Sequence, residues 1–370
     1  RPAGDGAESA PYELRVERMH AVPPESDRPA DGDPLADANP EELAAEIVST
    51  TGPDLQELRV VIPDRVAASP TALSADSFAP LAASVALAHW VGGSGNWSDP
   101  THWDIGVVPN NTATVTYQVV LDVAGNPTIT LDQDVAISSL TNAETLVVAG
   151  VSATIALQTE NSGSIQLAGA TAQLNLSGTV HDSGEIVAPV GTLNLSNATV
   201  TVDGASARVT AARTGTLNAV NLYAANGGVL SLPGATTFTS GSSGNTIQAS
   251  GAASRVELSG LGNLVGGSSG ATQIKALSGG HVAVSGDVHG YTTWTLDGTG
   301  GTMDASGVTK LSDATVNVSG GAVLTFSAAT TLARDNFTAS AGGQILFPAA
   351  TSYTRNDYGN TTIQASGAGS

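Results

Sequence analysis

Gly279-Gly280-His281-Val282 returns as Gly300-Gly301-Thr302-Met303, as Gly320-Gly321-Ala322-Val323 and as Gly342-Gly343-Gln344-Ile345, at steps of 21, 20 and 22. A phrase that recurs at so short an interval is one coil of a solenoid, because so small a unit cannot bury an apolar face except against a copy of itself. Nearer the N-terminus, Thr145-Leu146-Val147-Val148-Ala149-Gly150 aligns with Ser164-Ile165-Gln166-Leu167-Ala168-Gly169 at an offset of 19, and Glu185-Ile186-Val187-Ala188 follows after 21 more. Further members open at Gly204, Gly227 and Gly251. A longer echo overlies the short one: Thr246-Ile247-Gln248-Ala249-Ser250-Gly251-Ala252 recurs unchanged at residues 362–368, an offset of 116. Duplication of a block of about five coils accounts for it.

Inside the repeats Leu174-Asn175-Leu176, Leu193-Asn194-Leu195 and Val316-Asn317-Val318 alternate, which points the aliphatic side chains inward and the amides outward. Glycine at the corners allows a positive φ and a close approach of neighbouring backbones. The expected fold class is therefore all-β, a parallel β-helix (β-solenoid) with about 20–23 residues per coil and about three short strands in each turn. About ten coils stacked at about 4.8 Å make a rod of about 50 Å. Periodicity alone leaves open an antiparallel array of hairpins. Irregular intervals between Gly227 and Gly279 predict a longer loop around residues 260–270.

Composition restricts what such a rod can do. The chain carries 13 Lys and Arg against 33 Asp and Glu, a formal charge of −20, so it lacks the clustered cations that a phosphate backbone requires and no nucleic-acid partner is expected. With no Cys there is neither a disulfide framework nor a thiolate metal site. The longest apolar stretch, residues 78–91, is interrupted by Pro80, Ser84 and His89 and falls short of the about 18 apolar residues of a membrane-spanning segment. Arg1 and Ser370 read as cut ends, with a signal peptide expected before Arg1 and the repeats continuing beyond Ser370.

Three parts are expected along the chain: an acidic Pro-rich leader over residues 1–88, a Trp-rich cap with the first strands over 89–141, and solenoid repeats over 142–370. The leader holds 16 of the 33 acidic residues and is read as largely extended. Within it, residues 12–19 alternate apolar and charged positions, the pattern of a strand with one buried face. Asn39-Pro40-Glu41-Glu42 opens a short helix through Val48, with Asn as N-cap, Pro at the first helical position and carboxylates in the first turn. Residues 58–62 form a second strand candidate.

Three of the four Trp fall between positions 90 and 103, in Trp90-Val91-Gly92-Gly93-Ser94-Gly95-Asn96-Trp97 and at Trp103, followed by Val108-Pro109. Large rings beside Gly-rich turns read as the closure of a first coil, with a carbohydrate-stacking platform as the functional alternative. Over residues 89–370 this pattern, with the Thr/Val-rich strands and Gly-x-Ile/Leu coils behind it, resembles the repeat-rich bacterial surface proteins that carry autotransporter-associated β-strand repeats. The resemblance implies export, a β-helical stalk and a structural or adhesive task. It transfers no catalytic residue, and the acidic leader has no counterpart in it.

No catalytic, cofactor-binding or metal-ligating residue is assigned. Asp31, Asp33, Asp37 and Glu42 have the spacing of a calcium loop, but Leu35 takes a ligand position and Ala36 replaces the turn glycine, so they read as a solvated linker. Asp297 to Asp304 falls short of the calcium-binding nonapeptide and reads as a corner. Parallel β-helices also house polysaccharide-cleaving enzymes, which cluster carboxylates on one face. From residue 142 onward only 12 acidic and 7 basic residues are scattered over the chain, and His281, His289 and Asp287 are the nearest approach to a cluster. Asn-x-Ser/Thr triplets begin at Asn96, Asn110, Asn175, Asn194, Asn197, Asn317, Asn336 and Asn360 and suit glycan attachment or polar ladders equally.

The reading that fits these observations is a non-enzymatic, secreted structural protein of a bacterial cell surface or extracellular fibre. Self-association into a fibre or surface layer is expected, with residues 12–19 adding as a strand to a neighbouring subunit. The alternative is an adhesin or carbohydrate-binding stalk that stacks sugars on exposed Trp97, Trp103 or Trp294, with a glycan or other surface ligand as partner. A β-helical polysaccharide-degrading enzyme ranks third, against the sparse charges.

Overall fold

The structure, a computed structural model, describes residues 48–52, 55–59, 83–355 and 361–370. Contacts divide it into two units, Arg1–Ala79 and Pro80–Ser370. In the first, Val48–Gly52 and Leu55–Arg59 pair as an antiparallel hairpin. The expected strand at 12–19, the acidic group from Asp31 to Glu42 and most of the expected helix lie outside the described residues. Val48, where that helix was to end, opens a strand instead, and Leu58 and Arg59 of the second strand candidate fall in its partner. Among the described residues there is no α-helix, only the short 3-10 turn Pro100–His102.

The second unit is a parallel β-solenoid of about eleven turns. Each turn contributes a segment to each of three faces. The first face runs from Gly95–Asn96 through Thr128–Leu131, Thr145–Ala149, Ser164–Ala168 and Glu185–Ala188 to Arg208–Ala211 and beyond. The third face begins at Ser84–His89 and Val115–Leu121. In the early turns one long strand bends across the second and third faces, as in Ser152–Asn161, Gln173–Asp182 and Thr192–Asp203. All pairing between named strands in this unit is parallel, which removes the hairpin alternative. Stacking is already continuous from Ser84 and passes through residue 142 without a break.

The repeat seen in the sequence is the register of the stack. Ser164 pairs with Thr145 in the turn behind it and with Glu185 in the turn ahead, the same alignments that the recurring phrases make. The alternation sets what is inside: Leu174, Leu176, Leu193 and Leu195 are buried, and between them Asn194 Nδ2 donates to Asn175 Oδ1 at 2.8 Å across the turns. Each fully buried aliphatic side chain contributes about 1.5–3 kcal/mol relative to exposure. In the middle of the rod the buried side chains are aliphatic apart from Phe238, which is 0% exposed. The other core rings gather toward its two ends, Trp90, Trp97 and Trp103 in the first turn, and Trp294, Phe326, Phe337 and Phe347 in the last ones.

The longer loop expected around 260–270 is found in part: Asn263–Val265 is a strand, and the extra residues follow it. Val229 pairs with Arg255 and Arg255 with His281, so these two turns are longer than the one that carries Ser164 into register with Glu185. Both insertions sit at one corner, residues 240–245 and 266–271, and they stack: the amides of Ser268, Ser269 and Gly270 all donate to Ser242 O at 3.1, 2.8 and 3.0 Å.

Candidate functional site

Among the described residues the chemistry-bearing side chains fall into three main groups, of which the most unusual runs through the core. At the corner where the third face passes into the first, successive turns present Asn142, Asn161 and Asp182, each 2% exposed or less. Asn142 pairs in register with Asn161, and Asn161 with Asp182. Asn142 Nδ2 donates to Asn161 Oδ1 at 2.7 Å, and Asn161 Nδ2 donates to Asp182 Oδ1 at 2.6 Å. The amides also satisfy the corner backbone, through Asn142 Nδ2 to Glu144 O at 3.0 Å and Asn161 Nδ2 to Glu185 O at 3.2 Å. This polar thread ends on aliphatics, since the next inward position is Val202 and the one before it is Leu121. Asp182 Oδ2 has no hydrogen-bond partner. Burial raises the Asp182 carboxyl from 3.8 to about 6, against the pull of the Asn161 hydrogen bond and the nearby amides of Gly184 and Arg208. Read one at a time, these residues are ordinary turn punctuation. Their spacing, 19 and then 21, was the signal for a column.

A second buried carboxyl, Asp335, caps a corner near the other end. Its two oxygens accept the amides of Ala314 and Ala333, both at 2.9 Å. Burial lifts it to about 7, with the carboxylate of Asp313 adding to the effect.

The second group is the Trp-rich segment. Trp90, Trp97 and Trp103 are 1–2% exposed and meet edge to face at 5.0 and 4.7 Å. Each indole N–H is satisfied by a carbonyl: Trp90 by Gly93 O, Trp97 by Pro109 O and Trp103 by Trp97 O. His102 lies flat on Trp90, with ring centroids 4.6 Å apart and 4° between planes. The glycines of the motif make that possible, because a Cβ on Gly92 would stand 1.6 Å from His102 Nδ1 and one on Gly95 2.6 Å from Nε2. Trp294 is 1% exposed. The rings therefore fill the interior, and the expectation that Trp97, Trp103 or Trp294 offers an outward surface to sugars is overturned by their burial.

The third group faces outward on the first face. Pairing aligns Arg255 with His281 and Thr302, and alongside them Ser231 with Glu257, Ala283 and Asp304. Arg255 Nε donates to Glu257 Oε1 at 2.7 Å, Ser231 Oγ to Glu257 Oε2 at 3.1 Å, and His281 Nδ1 meets Thr302 Oγ1 at 2.8 Å. Partial burial works to raise Glu257, but the Arg255 and Ser231 hydrogen bonds outweigh it and hold the carboxyl below its usual range. Hydrogen bonds from Ser306 hold Asp304 low as well. Burial, with Arg255 alongside, lowers His281. The same strand carries Asp287 and His289 onto the second face, apart from His281, so the three residues that came nearest to a cluster in the sequence stand on different faces. Asp287 instead accepts Lys310 Nζ at 2.8 Å and the hydroxyl of Thr309, which lower it.

The remaining sequence candidates are held by local structure. Asp297 Oδ1 accepts the amide and hydroxyl of Thr299, and Asp304 Oδ1 the amide of Ser306, so both carboxylates brace their own turns. Asn110 and Asn336 anchor neighbouring backbone through Ala136 N and Thr362 N, Asn175 and Asn194 form the external ladder, and Asn360 lies outside the described residues. No grouping of three or more His, Asp or Glu suited to a metal ion occurs among the described residues. General acid catalysis needs a carboxyl that keeps its proton near neutral pH. Among the described residues, the two raised toward neutral pH, Asp182 and Asp335, are sealed in the core, whereas Glu257, Asp287 and Asp304 on the surface are held low.

Comparison with family models, with curated proteins and with solved structures finds no match to the chain.

Proposed function

We propose that the protein is a structural element of a bacterial surface or extracellular fibre, in which the solenoid supplies reach and stiffness and no catalysis takes place. The observation that carries this reading is the parallel stack, paired from Ser84 to Ser366 and filled along its interior by aliphatic side chains. About eleven turns at about 4.8 Å each hold two fixed points about 50 Å apart. The outward positions are mostly short polar residues, which suit a spacer more than a cleft. The resemblance of the Trp-rich segment to exported surface repeats supports a location outside the cell.

Assembly into a fibre belongs to the same proposal. It rests on the alternating pattern of residues 12–19, which suits addition as a strand to a neighbouring subunit by backbone pairing. Negative-stain microscopy with sedimentation of the 370-residue chain tests this. Rods that lengthen with protein concentration are expected, and removal of residues 1–30 shortens them if the leader joins subunits. Compact particles, or turnover of an acidic polysaccharide, would sink the proposal.

A further inference from the structure

Four corners turn from the third face to the first on three residues, counted in register from Ala225, Leu277, Ser319 (one past the end of Ala314–Val318) and Ser340: Asn226-Gly227-Gly228, Ser278-Gly279-Gly280, Gly320-Gly321-Ala322 and Ala341-Gly342-Gly343. In all four the first two residues have a positive φ, between 49° and 92°. The third position has no room for a side chain. A Cβ there would come within 2.2 Å of Val202 O at Gly228, 2.4 Å of Ala249 O at Gly280 and 2.4 Å of Val318 O at Gly343. Real Cβ atoms do not approach a carbonyl that closely. Ala322 is the exception, and it carries the methyl group that the other three corners exclude.

At that corner the first face is open. After each glycine corner the next amide reaches back one turn: Val229 N to Ala207 O at 3.0 Å, His281 N to Ser254 O at 2.8 Å and Gln344 N to Ala322 O at 2.8 Å. The corresponding bond from Val323 N to Gly301 O is missing. Val323–Thr325 pairs with Gln344–Leu346 ahead of it but not with Thr302–Ser312 behind it. The same two turns remain joined on the other faces, through Leu311 with Leu332 and Val316 with Phe337. A slot of about 460 Å³ is left, with Leu296, Gly301, Met303, Gly321 and Val323 among its walls. Met303 is only half-buried there, although its inward-facing equivalents Val282 and Leu324 are 1% and 0% exposed. Four-residue corners tolerate a side chain at the same register. Ala207 and Ser254 are followed by intact bonds, Arg208 N to Gly184 O and Arg255 N to Gly228 O, both at 2.9 Å.

We propose that the Ala322 methyl wedges the first face apart and makes the boundary between Gly301 and Val323 a built-in seam, the place where the solenoid flexes and opens first. The stack on either side is fully laddered, so bending concentrates where one of three ladders is absent. The seam belongs to the mechanics of the rod and holds whatever the rod is for.

Hydrogen exchange on the 370-residue chain, read at single amides, tests it. The Val323 amide is expected to exchange at least about tenfold faster than its equivalents Thr302 and Gln344, which carry the rung bond. In Ala322→Gly the Val323 amide slows to their level, and peroxide oxidation of Met303 slows with it. Gly280→Ala places the wedge two corners earlier, and the His281 amide speeds up. Equal protection of Val323 and Gln344 in the parent chain overturns the seam, and fast exchange at Val323 that survives Ala322→Gly overturns its assignment to that methyl. Should Ala322→Gly fail to accumulate, an unchanged His281 amide in Gly280→Ala has the same force.

Discussion

Asp182 and Asp335 hold protons that surface carboxyls release, and this gives the solenoid an inverted dependence on acid. Their ordinary value is 3.8, and burial raises them to about 6 and about 7 in the folded chain. An acid raised on folding stabilises the fold fully below its unfolded value, and that contribution is lost as pH rises through the folded value. The window for loss is therefore about pH 4–7, worth about 3 kcal/mol for Asp182 and about 4 kcal/mol for Asp335 as upper magnitudes. Surface carboxyls held low, such as Asp287 and Asp304, act in the opposite sense but are solvent-screened. Thermal melts should thus show higher stability near pH 5 than near pH 7.5. Asp182→Asn is expected to flatten the curve by raising the melting temperature at the upper end, because the amide keeps the acceptor for Asn161 without a charge. Asp335→Asn is expected to lower it at both pH values, since its NH2 would face a backbone amide that now donates to the carboxylate. A curve with the same slope in Asp182→Asn and the parent would remove Asp182 as the cause.

At the scale of the element, the Trp-rich turn shows how two neighbouring glycines differ. Gly92 lies under the His102 ring, while a Cβ at Gly93 would meet nothing within 4 Å. Gly93→Ala should change stability by no more than about 0.5 kcal/mol. Gly92→Ala must push the imidazole off Trp90 and is expected to cost about 1–3 kcal/mol, with a changed near-ultraviolet circular dichroism signal from the tryptophans. Identical behaviour of the two variants would mean that the stacked pair does not organise this turn. The corners follow the same logic: a glycine there is required either by its φ or by the carbonyl of the turn beneath, and those are separate demands on adjacent residues.

For the whole molecule, the architecture was legible because a solenoid repeats its constraints. Glycine corners at a regular interval marked the turn, and Leu-Asn-Leu alternation marked its inside and outside. What stayed hidden depended on contacts between turns. Asn142, Asn161 and Asp182 look like loop residues until the coil spacing stacks them, and the Trp rings look equally suited to a surface until their N–H groups find carbonyl partners. The seam was present as a small irregularity: the steps of 20 and 22 around Gly320 are a one-residue slip that leaves Ala322 where glycine stands in the companion corners. No function-bearing constellation was legible, and among the described residues none of the outward candidates joins a reactive group.

Because Ser164 and Glu185 occupy the same place in successive turns, the chain can be shortened in whole modules. Excision of residues 164–184 joins Gly163 directly to Glu185, leaves the outline of every remaining turn intact and should yield a folded protein, recognisable by an unchanged strand signal in far-ultraviolet circular dichroism. Excision of half that length leaves a turn too short to supply all three faces and should abolish folding. A polypeptide of this kind has length as an adjustable property, and selection could lengthen or trim it by recombination without redesigning a core.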